Sequence, residues 1–513
     1  MFAKITSGAI VGIQSYLVEV EVNATGGMPG FAMVGLLSPE VREAGERVRV
    51  ALRNAALTPP PQHITINLSP ADLRKEGTAF DLPIAVGILA ATGGVPIDAS
   101  AGMLVIGELG LDGAVKKTSG VLPMVMEAVK NGYSRCLVPR ENVNEARVIS
   151  KIEVLGVASL AEAVALLKGE APDGAGERRV IVDAPPTEDG QPEDELDFAD
   201  IAGQEQAKKA AVIAAAGFHH LLLIGPPGTG KTMIARRIPT ILPPLTEDES
   251  LEVSSIYSIA GLLSSEQAII KTRPFLNPHY TISAQGLTGG GRIPRPGVVS
   301  LSHRGVLFMD ELPECNRQVI EILRQPIEDK QVSIARASGA FTYPADFVFL
   351  AAMNPCPCGF FPDQSKCSCS AKDVKRYLNR ISGPILDRID ICTEVARTTI
   401  DTLKQGQSGL TSTEMRRQVE RARLIQKKRY QDSSCRTNAD IAVKDIPLYC
   451  GLAAKEAELM AEIFQAMNLS ARAYHRILKV ARTIADLAES GDIGEEHILE
   501  AVHFRLGDGR YWE

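Results

Sequence analysis

The chain has 513 residues, 45% of them hydrophobic and 23% charged, with a formal net charge of −7. At roughly 150 residues per domain this length predicts three domains, each able to bury a core without disulfides or metals. The acidic balance excludes a protein that coats nucleic acid as a uniformly basic surface but leaves room for local basic patches, and without a run of about eighteen apolar residues no transmembrane helix is expected.

The first residues lack the charged-then-apolar pattern of a signal peptide, which predicts a cytoplasmic chain whose nine cysteines are reduced. Residues 1–169 read as alternating strands and helices. Ile13–Val22 and Phe31–Val34 are strand-like, and His63–Leu68 alternates at strand period. Glu40–Asn54 reads as a helix with Ser38 at its N-cap and Pro39 at the first helical position. Phe80–Ala91 is an apolar helix, and strands follow at Cys136–Val138 and Val154–Leu155.

Glu170–Asp200 then carries eleven acidic against two basic residues, with Pro and Gly scattered through it. Such a segment has little to bury and reads as a solvated linker, assigned to 170–196. Residues 197–396 return to an α/β pattern, and 397–513 read as helical. In Ala471–Glu489 the residues Ala473, Ile477, Val480, Ile484 and Leu487 recur at spacings of 4, 3, 4 and 3, one buried stripe.

Three segments carry the chemistry. Leu221–Ile224 is an apolar strand that runs into Gly225-Pro226-Pro227-Gly228-Thr229-Gly230-Lys231-Thr232, with a helix after it. Glycines let successive N–H groups turn toward one anion, and a helix N-terminus adds positive dipole. Lys231 suits the β- and γ-phosphates of ATP, and the Thr232 hydroxyl suits Mg²⁺. In the second segment, Gly305–Met309 ends in Asp310 and Glu311, where Asp310 would hold Mg²⁺ and Glu311 would polarise the attacking water as general base. In the third, Phe347–Met353 ends in Asn354, whose amide could position that water; a strand-end Asn capping a turn is the plainer reading.

The order of the phosphate loop, Met309-Asp-Glu311, Ala352-Met-Asn-Pro355 and Leu386-Asp-Arg-Ile-Asp390 resembles the AAA+ ATPases. It is most similar to their magnesium-chelatase-like branch, and within that to the YifB/ComM family. Pro274–Ser283, Gly289–Gly291, Asn354–Gly359 and Ile381–Asp390 are further matching strings. The resemblance implies a P-loop module whose parallel sheet is sandwiched by helices. An S5-like, Lon-protease-like α+β domain would precede it and a helical lid would follow. It also implies a homohexameric ring. Arg388 would be the arginine finger acting on a neighbouring subunit's ATP, and Arg472 the second sensor arginine.

The same resemblance bears on cargo. Two insertions, 279–297 with Arg292 and Arg295, and the hairpin-like 331–343 flanked by Lys330 and carrying Arg336, would line the pore and suit a phosphate backbone. A solvated surface loop is the other reading for each. Glu414–Tyr430 has seven basic and two acidic residues, with Met415, Val419, Ala422 and Ile425 as its apolar stripe. Its basic face could bind nucleic acid or simply be solvated. DNA, single-stranded or branched, is therefore the expected partner, with branch migration in recombination and natural transformation the implied task. A chelatase-type motor remodelling a partner protein is the alternative.

Cys356, Cys358, Cys367 and Cys369 form a C-x-C…C-x-C set. Four thiolates at this spacing could hold a structural Zn²⁺, although C-x₂-C is the usual form, and reduced cysteines in a turn are the other reading. In the first domain, Ala79 stands where the Lon resemblance places a serine nucleophile, and Leu122 where it places the lysine. No nucleophile–base pair remains, so no proteolysis is expected.

Overall fold

The computed structural model describes residues 1–170, 196–264, 266–292, 294–336, 339–363, 365–398 and 409–512, with side chains described to residue 505. Most of the acidic 170–196 segment and the Ala337–Ser338 turn lie outside the described residues.

The first unit is built on a seven-stranded mixed sheet. Its spatial order is Gly30–Val34, His63–Ser69, Gln14–Thr25, Phe2–Val11, Met103–Val105, Arg135–Pro139 and Glu153–Val157. Phe2–Val11 and Gln14–Thr25 form a hairpin over their whole length, turning at Gly12 (φ 65°). The helix Pro39–Asn54 starts as its sequence requires, with the Ser38 hydroxyl accepting from the Val41 N–H. It packs with the wholly buried helix Asp81–Ala91 over one face of the sheet. Leu104 and Cys136 point to the other face, under the helix Val121–Lys130.

The second unit holds a five-stranded parallel sheet in the order Phe275–Leu276, Val306–Met309, Val348–Met353, Leu221–Ile224, Ile391–Glu394. Its central strands are apolar throughout because both faces are covered. Leu221 and Leu223 face one core and Leu222 and Ile224 the other, the period-two alternation of an extended chain. All of these strands run the same way, so their carboxyl ends and the loops that follow gather at one edge.

The C-terminal helices Ser412–Arg429, Ala454–Ala466, Ala471–Leu487 and Glu495–Trp512 complete the first of these cores. Ala473, Ile477, Val480 and Ile484 are buried there as the spacing predicts, while Leu487, the last of the stripe, is only half-buried against the same core. The helix Ser412–Arg429 departs from its expected stripe. Gln426, not Ile425, takes the buried position, donating to Ala216 O at 3.0 Å and accepting from Asn438 N–H at 3.2 Å. A buried amide tolerates that position because both ends are satisfied. Much of the basic face is also committed within the chain. Arg416 donates to Thr240 O, Arg423 to Ala215 O, and Arg429 pairs with the fully buried Asp486.

The two α/β units touch directly. The Gly120 N–H donates to Ser258 O, Lys117 Nζ to Leu263 O, and the Ser258 hydroxyl to the buried Glu145. The Gly12 turn lies against Thr342 of the hairpin Gln331–Arg336/Gly339–Pro344, and Arg292 pairs with Glu40.

Candidate nucleotide site and cysteine cluster

The loop after Leu221–Ile224 puts Gly228 at φ 76° and Gly230 at φ 89°, left-handed conformations that cost other residues energy and cost glycine little. They turn the chain into the helix Lys231–Ile241. Gly230 is its N-cap, and no side chain caps the first turn. Its leading N–H groups and its dipole are therefore directed at the space above the loop, which suits an anion.

Lys231 is 9% exposed and donates to Gly225 O at 2.7 Å, Pro226 O at 2.9 Å and Asn354 Oδ1 at 3.1 Å. Burial lowers its pKa, and Asp310 and Glu311 oppose that shift. The Thr232 hydroxyl donates to Asp310 Oδ2 at 2.8 Å. Asp310 Oδ1 accepts from the Glu311 N–H at 2.9 Å, and Glu311 itself is exposed, with φ 48°. Thr229 is tied back to Pro226 O at 2.9 Å. The phosphate loop, Asp310, Glu311 and Asn354 are thus brought together from three adjacent parallel strands. Hydroxyl and carboxylate oxygens side by side are hard donors that fit Mg²⁺. The neighbouring ammonium fits the phosphates such an ion would accompany.

Arg388 and Arg472 are placed elsewhere. Arg388 lies three residues before the strand Ile391–Glu394, whose first residue pairs with Leu221. It is 8% exposed, donates to Pro384 O at 2.7 Å and pairs with Glu328. Arg472, on the helix Ala471–Leu487, lines a pocket of about 350 Å³ with Glu328, Lys330, His475, Arg476 and Lys479. His220, Asp390 and Phe347 also line it, and each immediately precedes a sheet strand, so the pocket sits at the amino edge of the sheet. Four residues of strand, ~13 Å, separate that edge from the phosphate loop. Neither arginine is on the same edge as the candidate nucleotide site of this chain. Sequence reading missed Glu328 as the partner of Arg388 and did not bring Arg472 and Lys330 together with His475, Arg476 and Lys479 in one pocket, because the contributing segments lie far apart in the chain.

Of the basic residues on the insertions, Arg292, Arg295 and Arg336 are exposed. Arg292 is held by Glu40, and Lys330 by Asp346 and Asp440.

The four cysteines of 356–369 converge. Their Sγ atoms all lie within 4.8 Å of one another, at 3.3 Å for Cys356–Cys358, 3.6 Å for Cys358–Cys367 and 3.8 Å for Cys356–Cys367. Zinc–sulfur bonds of about 2.3 Å set tetrahedral sulfurs ~3.8 Å apart, so the donor set fits that ion. Burial disfavours the Cys358 thiolate, but the Phe360 N–H and the Cys356 thiol outweigh it and bring the pKa down to about 6. In the first unit, the Thr78 hydroxyl donates to Glu108, Ala79 packs against the cluster containing Val121 and Met124, and Leu122 is fully buried.

A P-loop on a parallel sheet, an acidic pair at the end of the strand next but one to it and a helical C-terminal unit define a chelatase-type AAA+ module. Comparison with known proteins gives its family. The chain matches the family models for magnesium chelatase subunit ChlI over residues 197–403, subunit ChlI of Mg-chelatase over 20–142, and the ChlI C-terminal region over 409–505. It is 41% identical to the competence protein ComM of Haemophilus influenzae, over 98% of this chain and 97% of that protein. It is 40% identical to YifB of Salmonella typhimurium, over 99% and 97%. The magnesium-chelatase 38 kDa subunit of Cereibacter sphaeroides is 25% identical over 31% of this chain and 52% of its own length. The chain belongs to the magnesium-chelatase-like AAA+ ATPases, in the YifB/ComM family. Among the described residues no helix is long and apolar enough to cross a membrane.

Proposed function

We propose that the chain is an ATP-hydrolysing ring motor that acts on DNA, a branch-migration helicase of recombination and natural transformation. The observation that carries the reading is the convergence of Lys231, Thr232, Asp310, Glu311 and Asn354 above one uncapped helix. Lys231 and the loop N–H groups bind the phosphates, and Thr232 and Asp310 take Mg²⁺. Glu311 draws a proton from the lytic water, and Asn354 orients that water against the γ-phosphate. Arg388 and Arg472, at the far edge of the sheet, serve the nucleotide of an adjacent subunit, which makes the working form a homohexamer in the cytoplasm. A zinc ion on Cys356, Cys358, Cys367 and Cys369 has a structural role.

The DNA cargo rests on similarity to a protein named for competence over nearly the whole chain, and on exposed Arg295 and Arg336 at the insertions. Remodelling of a partner protein is the second reading, favoured by similarity to the magnesium-chelatase 38 kDa subunit. Steady-state ATPase rates with branched, single-stranded and double-stranded DNA separate the two. Stimulation of about tenfold, falling steeply with salt, is expected from phosphate contacts. No stimulation by any of the three DNAs would move the assignment to a protein cargo.

A further inference from the structure

Residues 354–370 join the strand Val348–Met353 to the helix Ala371–Leu378, and their described part holds no helix or strand. Connections of this length without regular structure are uncommon in compact folds. Four converging Sγ atoms gather this one. Neutral thiols, weak donors and weak acceptors, gain little from such crowding, whereas a bound cation rewards it.

The second observation is where the gathered loop leads. Its stem touches the phosphate loop twice. Met353 O accepts from the Gly225 N–H at 3.2 Å, and Asn354 Oδ1 accepts from Lys231. A third contact comes from within the cysteine cluster. Gly359 follows Cys358 directly, with φ 83°, and a Cβ there would lie 2.4 Å from Pro227 Cδ and 3.2 Å from Pro227 Cγ. The backbone of the cluster therefore rests on the ring of an otherwise exposed residue of the phosphate loop. On its other side Gly225 is pressed by Val395 O, which a Cβ would meet at 2.3 Å. The Arg397 guanidinium, two residues further, sits 4.7 Å over the Phe360 ring and joins the two flanking loops. The phosphate loop is clasped between them.

We propose that zinc held by Cys356, Cys358, Cys367 and Cys369 fixes this clasp, so that zinc occupancy sets the affinity of the site for ATP. Each cysteine that enters the coordination shell as thiolate releases its proton, and the metal closes the loop over Pro227. Without zinc the chain between Asn354 and Ala371 gains conformational freedom, and the phosphate loop must be ordered at the expense of nucleotide binding. The proposal rests on the zinc and nucleotide readings given above.

The test uses the full chain in three forms: the parent, the double variant Cys367→Ser/Cys369→Ser, and Gly359→Ala, which keeps every sulfur but pushes on Pro227. Bound zinc is measured by elemental analysis and the Kd for a fluorescent ATP analogue with Mg²⁺ by titration. About one zinc per chain is expected in the parent and in Gly359→Ala, and almost none in the double variant. The Kd should rise about tenfold in both variants. Parent protein stripped of zinc by a chelator should show the same weakening and recover on adding zinc back, which keeps the test valid if a variant misfolds. A parent with well under one zinc overturns the metal site. Zinc present and removable with Kd unchanged overturns the clasp while leaving the metal site standing. Failure of the zinc-loaded parent to bind the analogue overturns the nucleotide reading itself.

Discussion

Two of the buried lysines among the described residues, Lys75 and Lys231, end in opposite situations. Lys75, in the first unit, is fully buried and donates to Pro70 O. Burial lowers its pKa, and Asp72 opposes the shift. Nearby polar groups are likewise closed on themselves, Thr78 on Glu108 and Arg47 on Asp81 through two bonds of 2.9 Å. Lys231 is also desolvated, but its partners are two loop carbonyls and an amide oxygen at the mouth of an uncapped helix. A phosphate can displace carbonyl partners at little cost because it offers the ammonium a full charge. Burial and basicity are common to both lysines; what suits Lys231 to an anionic ligand is the uncapped helix N-terminus beside it.

The largest expected effect breaks or keeps that contrast. Lys231→Ala should abolish measurable ATP turnover and raise the nucleotide Kd by about a hundredfold, since it removes the charge that meets the phosphates. Lys75→Met should leave turnover within about twofold, because a methionine of similar volume replaces a buried cation that serves no ligand. Steady-state ATPase and nucleotide titration on both variants check this. Equal losses would make the first unit part of the nucleotide machinery.

Arg388 extends the contrast to a pair of subunits. Arg388→Ala should lower turnover on the order of a thousandfold with nucleotide affinity little changed, as expected of a finger that acts only on the transition state. Mixing that variant with Lys231→Ala chains should restore part of the activity, because some interfaces then combine an intact phosphate loop with an intact finger. Recovery is read as ATPase rate against mixing ratio, and its absence removes the trans assignment.

His220, at the amino edge of the sheet, gives a smaller effect with a definite sign. Its Nδ1 accepts from the Phe349 N–H at 3.0 Å, and its pKa is pulled down to about 4. Burial is the main cause, with Arg476, Lys330 and His219 adding to it and Asp390 opposing. An unfolded histidine titrates near 6.5, so between those values the unfolded chain binds a proton that the folded chain refuses. Stability conferred by neutral His220 is therefore complete above pH ~6.5 and is lost as pH falls toward 4. Asp390 is held well below the usual carboxylate range, so its own loss comes at lower pH. Thermal unfolding across pH 7 to 4.5 should show a loss on the order of 1–3 kcal/mol from this group. Part of the slope should disappear in His220→Gln; His303 and His475, also shifted down by burial, contribute to what is left.

What could be read in advance follows from how local each signal is. The phosphate loop, the Asp310–Glu311 pair and the Ser38 cap are each written in a few consecutive residues, because backbone conformation and anion binding are decided over that span. The buried stripe of Ala471–Leu487 is legible for the same reason. Gln426 was not, since its burial depends on Ala216 and Asn438, which lie outside its helix. The committed arginines of Ser412–Arg429 and the pairing of Lys330 with Asp440 also depend on the third dimension. So does the contact of Gly359 with Pro227, for which the only local trace is a glycine after Cys358.

Thr78 carries the smallest expected effect and the sharpest question about the first unit. Ala79 and Leu122 offer no nucleophile and no base, so Thr78 is the one hydroxyl left in that segment. Its hydroxyl donates to Glu108, a carboxylate that can accept a proton, and such a pair could in principle generate an alkoxide. Alkoxide formation needs a base free to take the proton and an oxyanion site to receive the product charge. Glu108 sits instead in the hairpin Glu108–Leu109/Val115–Lys116, and the Leu109 N–H is spent on Asp81 at 3.2 Å. The pair therefore ties the loop before Asp81–Ala91 to that hairpin. Thr78→Val should cost about 1 kcal/mol, the net worth of a partly exposed hydrogen bond to a carboxylate, read as a downward shift of a few degrees in thermal unfolding. ATPase should stay within about twofold, and casein should be left intact by parent and variant alike. Casein cleavage by the parent that Thr78→Val abolishes would make this threonine a nucleophile and erase the contrast between the two units.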